Sequence, residues 1–154
     1  MTDIYGIPLN RIDGTPVTLE AFKGKVLLAV NVASKCGLTP QYESLEALYR
    51  EKSGEGLEIL GFPANNFLAQ EPGTDAEIVN FCSTTYDVTF PMFSKISVVG
   101  TDKHPRYDVF TRAQPEAVSA GPMRERLEQF GIPVSPTGEV LWNFEKFLIG
   151  KTGD

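Results

Sequence analysis

Lys25-Val-Leu-Leu-Ala-Val-Asn-Val-Ala33 runs directly into Ser34-Lys-Cys-Gly37, and the reading of this stretch decides the fold. Its first part is apolar and rich in β-formers with no polar alternation, the pattern of a strand covered on both faces. Such strands belong mostly to parallel sheets flanked by helices. Beyond Cys36, Thr39 stands where an N-cap belongs and Pro40 where a first helical residue belongs. Tyr42, Leu45, Leu48 and Tyr49 then repeat at helical spacing. A strand, a turn bearing a cysteine and a helix follow from this reading.

Downstream, Leu57-Glu-Ile-Leu-Gly-Phe-Pro63 is a second apolar strand that Pro63 ends, and Ala64 to Gly73 is a loop. Thr74-Asp-Ala-Glu77 fits a capping box. It opens a second helix whose one face collects Ile78, Phe81, Cys82 and Thr85. A strand is expected over Pro91 to Val99, a short helix from Pro105 through Phe110, and another from Pro122 to Phe130 with Gly131 as its stop. Phe144 to Ile149 is the last strand expected. Upstream, the Asp13-Gly14 pair between short apolar stretches predicts an N-terminal hairpin. The order strand, helix, strand, helix, then mainly strands is that of a thioredoxin-like α/β fold, a central mixed sheet flanked by helices. Ligands of such sheets bind beyond the carboxyl ends of the strands, where Cys36 stands. The stretch from Ala113 to Gly138, with Pro115, Pro122, Pro133 and Pro136, interrupts this rhythm and is expected on the surface. Gly150-Lys-Thr-Gly-Asp154 reads as a turn whose returning strand is missing, so a truncated C-terminus is expected.

A chain of 154 residues with 42% apolar side chains can bury one proper core, so a single domain over 1–154 is expected. Acidic residues outnumber basic ones 20 to 14, for a formal charge of -6. No broad positive field is available for nucleic acid or anionic lipid. Met1-Thr-Asp-Ile-Tyr-Gly-Ile-Pro8 lacks the basic region and apolar stretch of a secretory signal, and no apolar run has the length of a membrane span. A cytoplasmic protein is expected. With one histidine, His104, and two widely separated cysteines, a metal cage is hard to assemble, and no metal or other cofactor is expected. His104, before a proline, reads as a capping or surface residue.

Two cysteines with no C-x-x-C or zinc spacing are either buried thiols or reactive ones. The thiolate is the reactive form of cysteine, so a catalytic cysteine needs surroundings that favour an anion. Cys36 lies just before the start of the first helix, where free N-H groups and the helix dipole supply such surroundings, and Lys35 adds positive charge.

Asn31-Val-Ala-Ser-Lys-Cys-Gly37 resembles the peroxidatic segment of the glutathione peroxidase family, which holds selenocysteine or cysteine at this position. Gly61-Phe-Pro-Ala-Asn-Asn-Phe-Leu-Ala-Gln-Glu-Pro-Gly73 resembles that family's second motif and Trp142-Asn-Phe-Glu-Lys-Phe-Leu-Ile149 its third, in family order and at family spacing. The similarity runs from about Leu9 to the C-terminus and is greatest to bacterial cysteine-containing members. The resemblance implies a thiol peroxidase with a tetrad of Cys36, Gln70, Trp142 and Asn143. The two amides and the indole can donate hydrogens to a thiolate and to the oxyanion leaving a cleaved peroxide. Read without the motifs, Gln70 is a solvated loop residue, Trp142 a core aromatic and Asn143 a turn residue.

The resemblance also gives Cys82 the position where thioredoxin-dependent members carry their resolving cysteine. Its helical face by itself describes a packing residue. Peroxide would take Cys36 to a sulfenic acid, Cys82 would condense with it, and thioredoxin would reduce the disulfide. With the second helix intact, the two sulfurs are expected to be too far apart to pair, so local unwinding around Cys82 would be required. Ala64 replaces a common cysteine of the second motif and Asn66 a common glutamine. The basic residues that bind glutathione in selenium-containing members are not recognisable, which favours a protein dithiol as reductant. The excursion from Ala113 is about as long as the oligomerisation insertion of tetrameric members, but offers no legible interface. A glutathione-driven peroxidase, a peroxide sensor passing oxidation to a partner, and a non-catalytic binding module are the alternatives.

Overall fold

The structure, a computed structural model, describes residues 5–36, 38–67, 69–100, 103–113, 120–132 and 139–151. A small antiparallel hairpin pairs β1 (Leu9–Asn10) with β2 (Pro16–Val17), closed through the Asp13-Gly14 turn, where Gly14 takes φ 91°. Gly14 supplies the positive φ that such a turn demands.

The main sheet has the order β4-β3-β5, with β3 (Val26–Val32) at its centre. It pairs in parallel with β4 (Leu57–Pro63), Ala29 opposite Leu60 and Asn31 opposite Phe62, and antiparallel with β5 (Lys146–Ile149). The sheet is therefore mixed, as expected. Helix α1 (Gln41–Lys52) makes the crossover between the parallel strands, and the chain returns into β4 at Gly56, with φ 97°. Helix α2 (Asp75–Tyr86) packs beside α1, where Tyr42 meets Phe81 and Tyr86 at ring-centroid distances of 6.5 and 5.5 Å. Helix α3 (Pro105–Ala113) covers the other face, where Tyr107 meets Phe62 at 5.7 Å and Phe110 meets Phe147 at 5.2 Å. Burial on both faces is why β3 and β4 read as largely apolar runs, broken only by Asn31 and Glu58.

Four expectations are corrected in detail. Helix α1 starts at Gln41 rather than at Pro40, and Thr39 does not cap it. The Thr39 hydroxyl instead accepts from the Cys36 amide at 2.9 Å and donates to the Ala33 carbonyl at 2.8 Å. Thr85 is exposed, so the buried face of α2 is Ile78 and Cys82, with Phe81 half-buried. The strand expected over Pro91–Val99 is reduced to isolated bridges, Gly61 with Met92, Arg11 with Phe93 and Ala64 with Ile96. Its amides serve several partners: Phe93 donates to Gly61, Ser94 to Asn10, Lys95 to the Asp75 carboxylate and Val98 to the Asn66 side chain. A segment bonded in that many directions cannot run a ladder. The last strand begins at Lys146, because Phe144 turns with φ 64°.

From the Ala113–Gly138 excursion, the described residues form α4 (Ala120–Gln129), with Leu127 buried, Phe130 exposed and Gly131 ending it at φ 69°. Residues 114–119 and 133–138 lie outside the described residues, as do Gly37 and the C-terminal residues 152–154. His104 caps α3: its Nδ1 accepts from the Arg106 amide at 3.1 Å.

Candidate active site

Cys36 is carried just past the carboxyl end of β3 on a turn that its own neighbours tie down. The Thr39 hydroxyl bridges the Cys36 amide and the Ala33 carbonyl, and the Leu38 amide donates to the Cys36 sulfur at 3.3 Å. An N-H aimed at sulfur places a partial positive charge where an anion has to form. Both cysteines are free and buried.

Gln70 reaches this end of the sheet on the loop after β4. The Lys35 amide donates to the Gln70 carbonyl at 3.0 Å, fastening the loop to the residue before the cysteine. Two asparagines hold the loop from below. Asn65 accepts from the Glu71 amide at 3.0 Å, and Asn66 donates to the Ser97 hydroxyl at 2.9 Å. Ala69, directly before Gln70, sits in the left-handed region at φ 50°.

Trp142 and Asn143 come from the turn into β5. Asn31, fully buried on β3, donates to the Trp142 carbonyl at 3.0 Å and accepts from the Phe144 amide through its own carbonyl at 2.6 Å. The Trp142 ring lies 5.5 Å from that of Phe67. The Asn143 side chain donates to Gln70 Oε1 at 2.9 Å. With Oε1 occupied, the Gln70 amide hydrogens remain as donors. Two non-glycine residues with positive φ, Ala69 and Phe144, thus flank Gln70 and Asn143. Left-handed backbone at such residues persists only where the surroundings over-determine it.

Gln70, Trp142, Asn143 and Cys36 are therefore drawn to one sheet end by short polar ties among their segments. Cys82 is not among them. It lies in α2 facing Tyr42, 2% exposed, where burial pushes its thiol up to about 11, with the Glu71 charge adding to the rise and the Tyr42 hydroxyl opposing it. Asn31 and Glu71 both help build this region and were missed by the reading of the sequence. Asn31 was legible as a polar residue inside an apolar strand, whereas nothing in the spacing marks Glu71 as buried.

The family model of glutathione peroxidase matches residues 4–111. The chain belongs to the glutathione peroxidase family. The thioredoxin/glutathione peroxidase BtuE of Escherichia coli is 52% identical over 145 residues, which is 92% of this chain and 79% of that protein. The hydroperoxy fatty acid reductase gpx1 of Synechocystis is 46% identical over 151 residues, 97% of this chain and 82% of the relative. Among solved structures, GPX1 of T. cruzi superposes with a TM-score of 0.68 at 31% identity, covering 99% of this chain and 82% of that one. The protein is a peroxidase oxidoreductase of this family, with its thioredoxin-like fold.

Proposed function

We propose that Cys36 is the peroxidatic nucleophile of a thioredoxin-dependent hydroperoxidase in which Cys82 resolves the oxidised sulfur. The observation that carries this reading is the Lys35–Gln70–Asn143 line of hydrogen bonds, which draws the segments of Cys36, Gln70, Trp142 and Asn143 to one end of β3. The Cys36 thiolate attacks one peroxide oxygen, a sulfur-oxygen bond forms, the O-O bond breaks, and the leaving oxygen departs as alkoxide or hydroxide and takes a proton. The product is a sulfenic acid and an alcohol or water. Gln70, Trp142 and Asn143 supply neutral N-H donors to the charge as it moves from sulfur to oxygen, and none of them has to titrate. The Cys82 thiolate then attacks the sulfenic sulfur, displacing hydroxide, and a disulfide forms. A protein dithiol returns both sulfurs to thiols.

Hydrogen peroxide and small organic hydroperoxides are the proposed substrates. Two buried free thiols suit a reducing compartment, consistent with a cytoplasmic enzyme. Thioredoxin is preferred to glutathione because a second cysteine is present to make an intramolecular disulfide, and the Escherichia coli relative bears both reductants in its name. Mass spectrometry after a single equivalent of peroxide should find Cys36 bonded to Cys82, with two hydrogens lost and no oxygen retained. Peroxide consumption should follow thioredoxin and collapse in Cys82→Ser. Undiminished thioredoxin-linked turnover in Cys82→Ser removes Cys82 from the mechanism, and turnover with glutathione alone moves the protein to the glutathione-driven class.

A further inference from the structure

The Lys35–Gln70–Asn143 line of hydrogen bonds joins the segments of the site along one side. A second line joins them along the other, and it runs through Lys146, which no step of the proposed mechanism uses. Lys146 Nζ donates to the Phe144 carbonyl at 2.8 Å and to Gln41 Oε1 at 2.7 Å. Gln41 is the first residue of α1, and its amide donates to the Leu38 carbonyl at 2.8 Å. The Leu38 amide in turn donates to the Cys36 sulfur at 3.3 Å. The two lines make a closed circuit. From Cys36 it passes through Lys35 to Gln70, across to Asn143, along the chain to Phe144, and through Lys146, Gln41 and Leu38 back to the sulfur.

Phe144 is the strained part of this circuit. It holds φ 64°, a conformation costly for a residue with a bulky side chain, so it has to be held from outside. Three contacts do so. The Asn31 carbonyl accepts from its amide at 2.6 Å, its ring meets that of Tyr42 on α1 edge-on at 5.4 Å, and Lys146 donates to its carbonyl. Asn31 and Tyr42 are fully buried, whereas Lys146 is exposed. The first two contacts belong to the core. The third lies at the surface, where water competes for both partners and a hydrogen bond adds little to stability. What it adds is geometry. One ammonium bonded to two oxygens sets the spacing between the turn of Trp142 and Asn143 and the start of the helix that follows Cys36.

We propose that Lys146 is a positioning residue for peroxide cleavage: by tying the Phe144 carbonyl to Gln41, it holds the Trp142 and Asn143 donors in register with the Cys36 sulfur. This rests on the reading of Cys36 as the peroxidatic nucleophile. Displacing a catalytic group by about 1 Å costs roughly a hundredfold in rate, and with the Gln70 side of the circuit intact, opening the Lys146 side is expected to cost about tenfold.

Two rates at Cys36 separate positioning from charge. Alkylation by iodoacetamide needs the thiolate, whereas peroxide cleavage needs both the thiolate and the aligned donors. Lys146→Met keeps most of the stem and deletes the ammonium. In it, stopped-flow oxidation of Cys36 by hydrogen peroxide should slow about tenfold, with alkylation of Cys36 staying within about twofold of wild type. Gln41→Leu should slow oxidation to a similar extent, and the double variant should be no slower than Lys146→Met, since each change opens the same link. Oxidation within threefold of wild type in Lys146→Met overturns the proposal. So does an equal fall in both rates, which would make Lys146 a charge acting on the thiolate, and so does a double variant in which the two losses multiply. Wild-type protein tests the underlying reading separately. A Cys36 that peroxide leaves unoxidised overturns that reading and the proposal together, whereas rapid wild-type oxidation that Lys146→Met leaves unaltered overturns the proposal alone.

Discussion

Gln70 shows how much of the site depends on single contacts. Its carbonyl accepts from the amide before Cys36 and its Oε1 accepts from Asn143, and in the proposed mechanism its side-chain N-H groups are the donors offered to a developing oxyanion. A preorganised donor of this kind contributes a factor of roughly a hundred or more. Gln70→Ala is therefore expected to lower the second-order rate of Cys36 oxidation about a hundredfold while leaving the thermal midpoint within a few degrees, since Gln70 is only partly buried. Stopped-flow with peroxide and a thermal melt check the two arms, and a rate within threefold of wild type would sink the donor role. Trp142→Phe probes the same charge by another route, removing the indole N-H while leaving a smaller aromatic ring in its place.

On the proposed role of Cys82, helix α2 has to be stable enough to bury the thiol and loose enough to surrender it. Polar groups fasten both of its ends. At the entrance, the Thr74 hydroxyl accepts from the Glu77 amide at 3.2 Å and the Glu77 carboxylate accepts from the Thr74 amide at 3.1 Å. At the exit, Arg50 of α1 donates to the Asp87 carbonyl and carboxylate, both at 3.0 Å. Thr74→Ala removes half of the capping box, worth about 1 kcal/mol. If α2 opens as a unit, its amides should exchange roughly fivefold faster in Thr74→Ala. Unchanged exchange in α2 would show that opening starts elsewhere. The capping box was legible in the sequence, since Thr74 and Glu77 need only be neighbours along the chain. The exit clamp was not, because Asp87 and Arg50 meet only through the fold.

Across the whole molecule, buried carboxyls set how stability answers to pH, and they act with opposite signs. Glu46 on α1 accepts from the Thr89 amide at 2.7 Å, the Thr89 hydroxyl and Arg50 Nε at 2.6 Å. Burial works to raise it, but the hydrogen bonds from Thr89 and Arg50 outweigh burial and hold it below its ordinary 4.5. A carboxyl depressed in the folded state stabilises it above the ordinary value, and that contribution is lost as pH falls through the depressed one. Glu46→Gln should accordingly be less stable than wild type at neutral pH, with the difference shrinking below pH ~4.5, as urea unfolding across that range would show. A difference that stays constant with pH would assign Glu46 a purely neutral role. What the sequence by itself determined was the order of the main strands and helices and the family to which the chain belongs. A largely apolar run, a capping box and three spaced motifs are local patterns, and local patterns follow from periodicity and hydrogen-bonding rules that need no partner. What only the tertiary structure decided was burial and encounter. It placed Asn31 under Trp142, moved Thr39 from helix cap to brace of the Cys36 turn, dissolved the Pro91–Val99 strand, and buried Glu71 and Cys82. Each depends on contacts between residues distant in sequence, and the free energy of a buried polar group is fixed by what the fold sets around it.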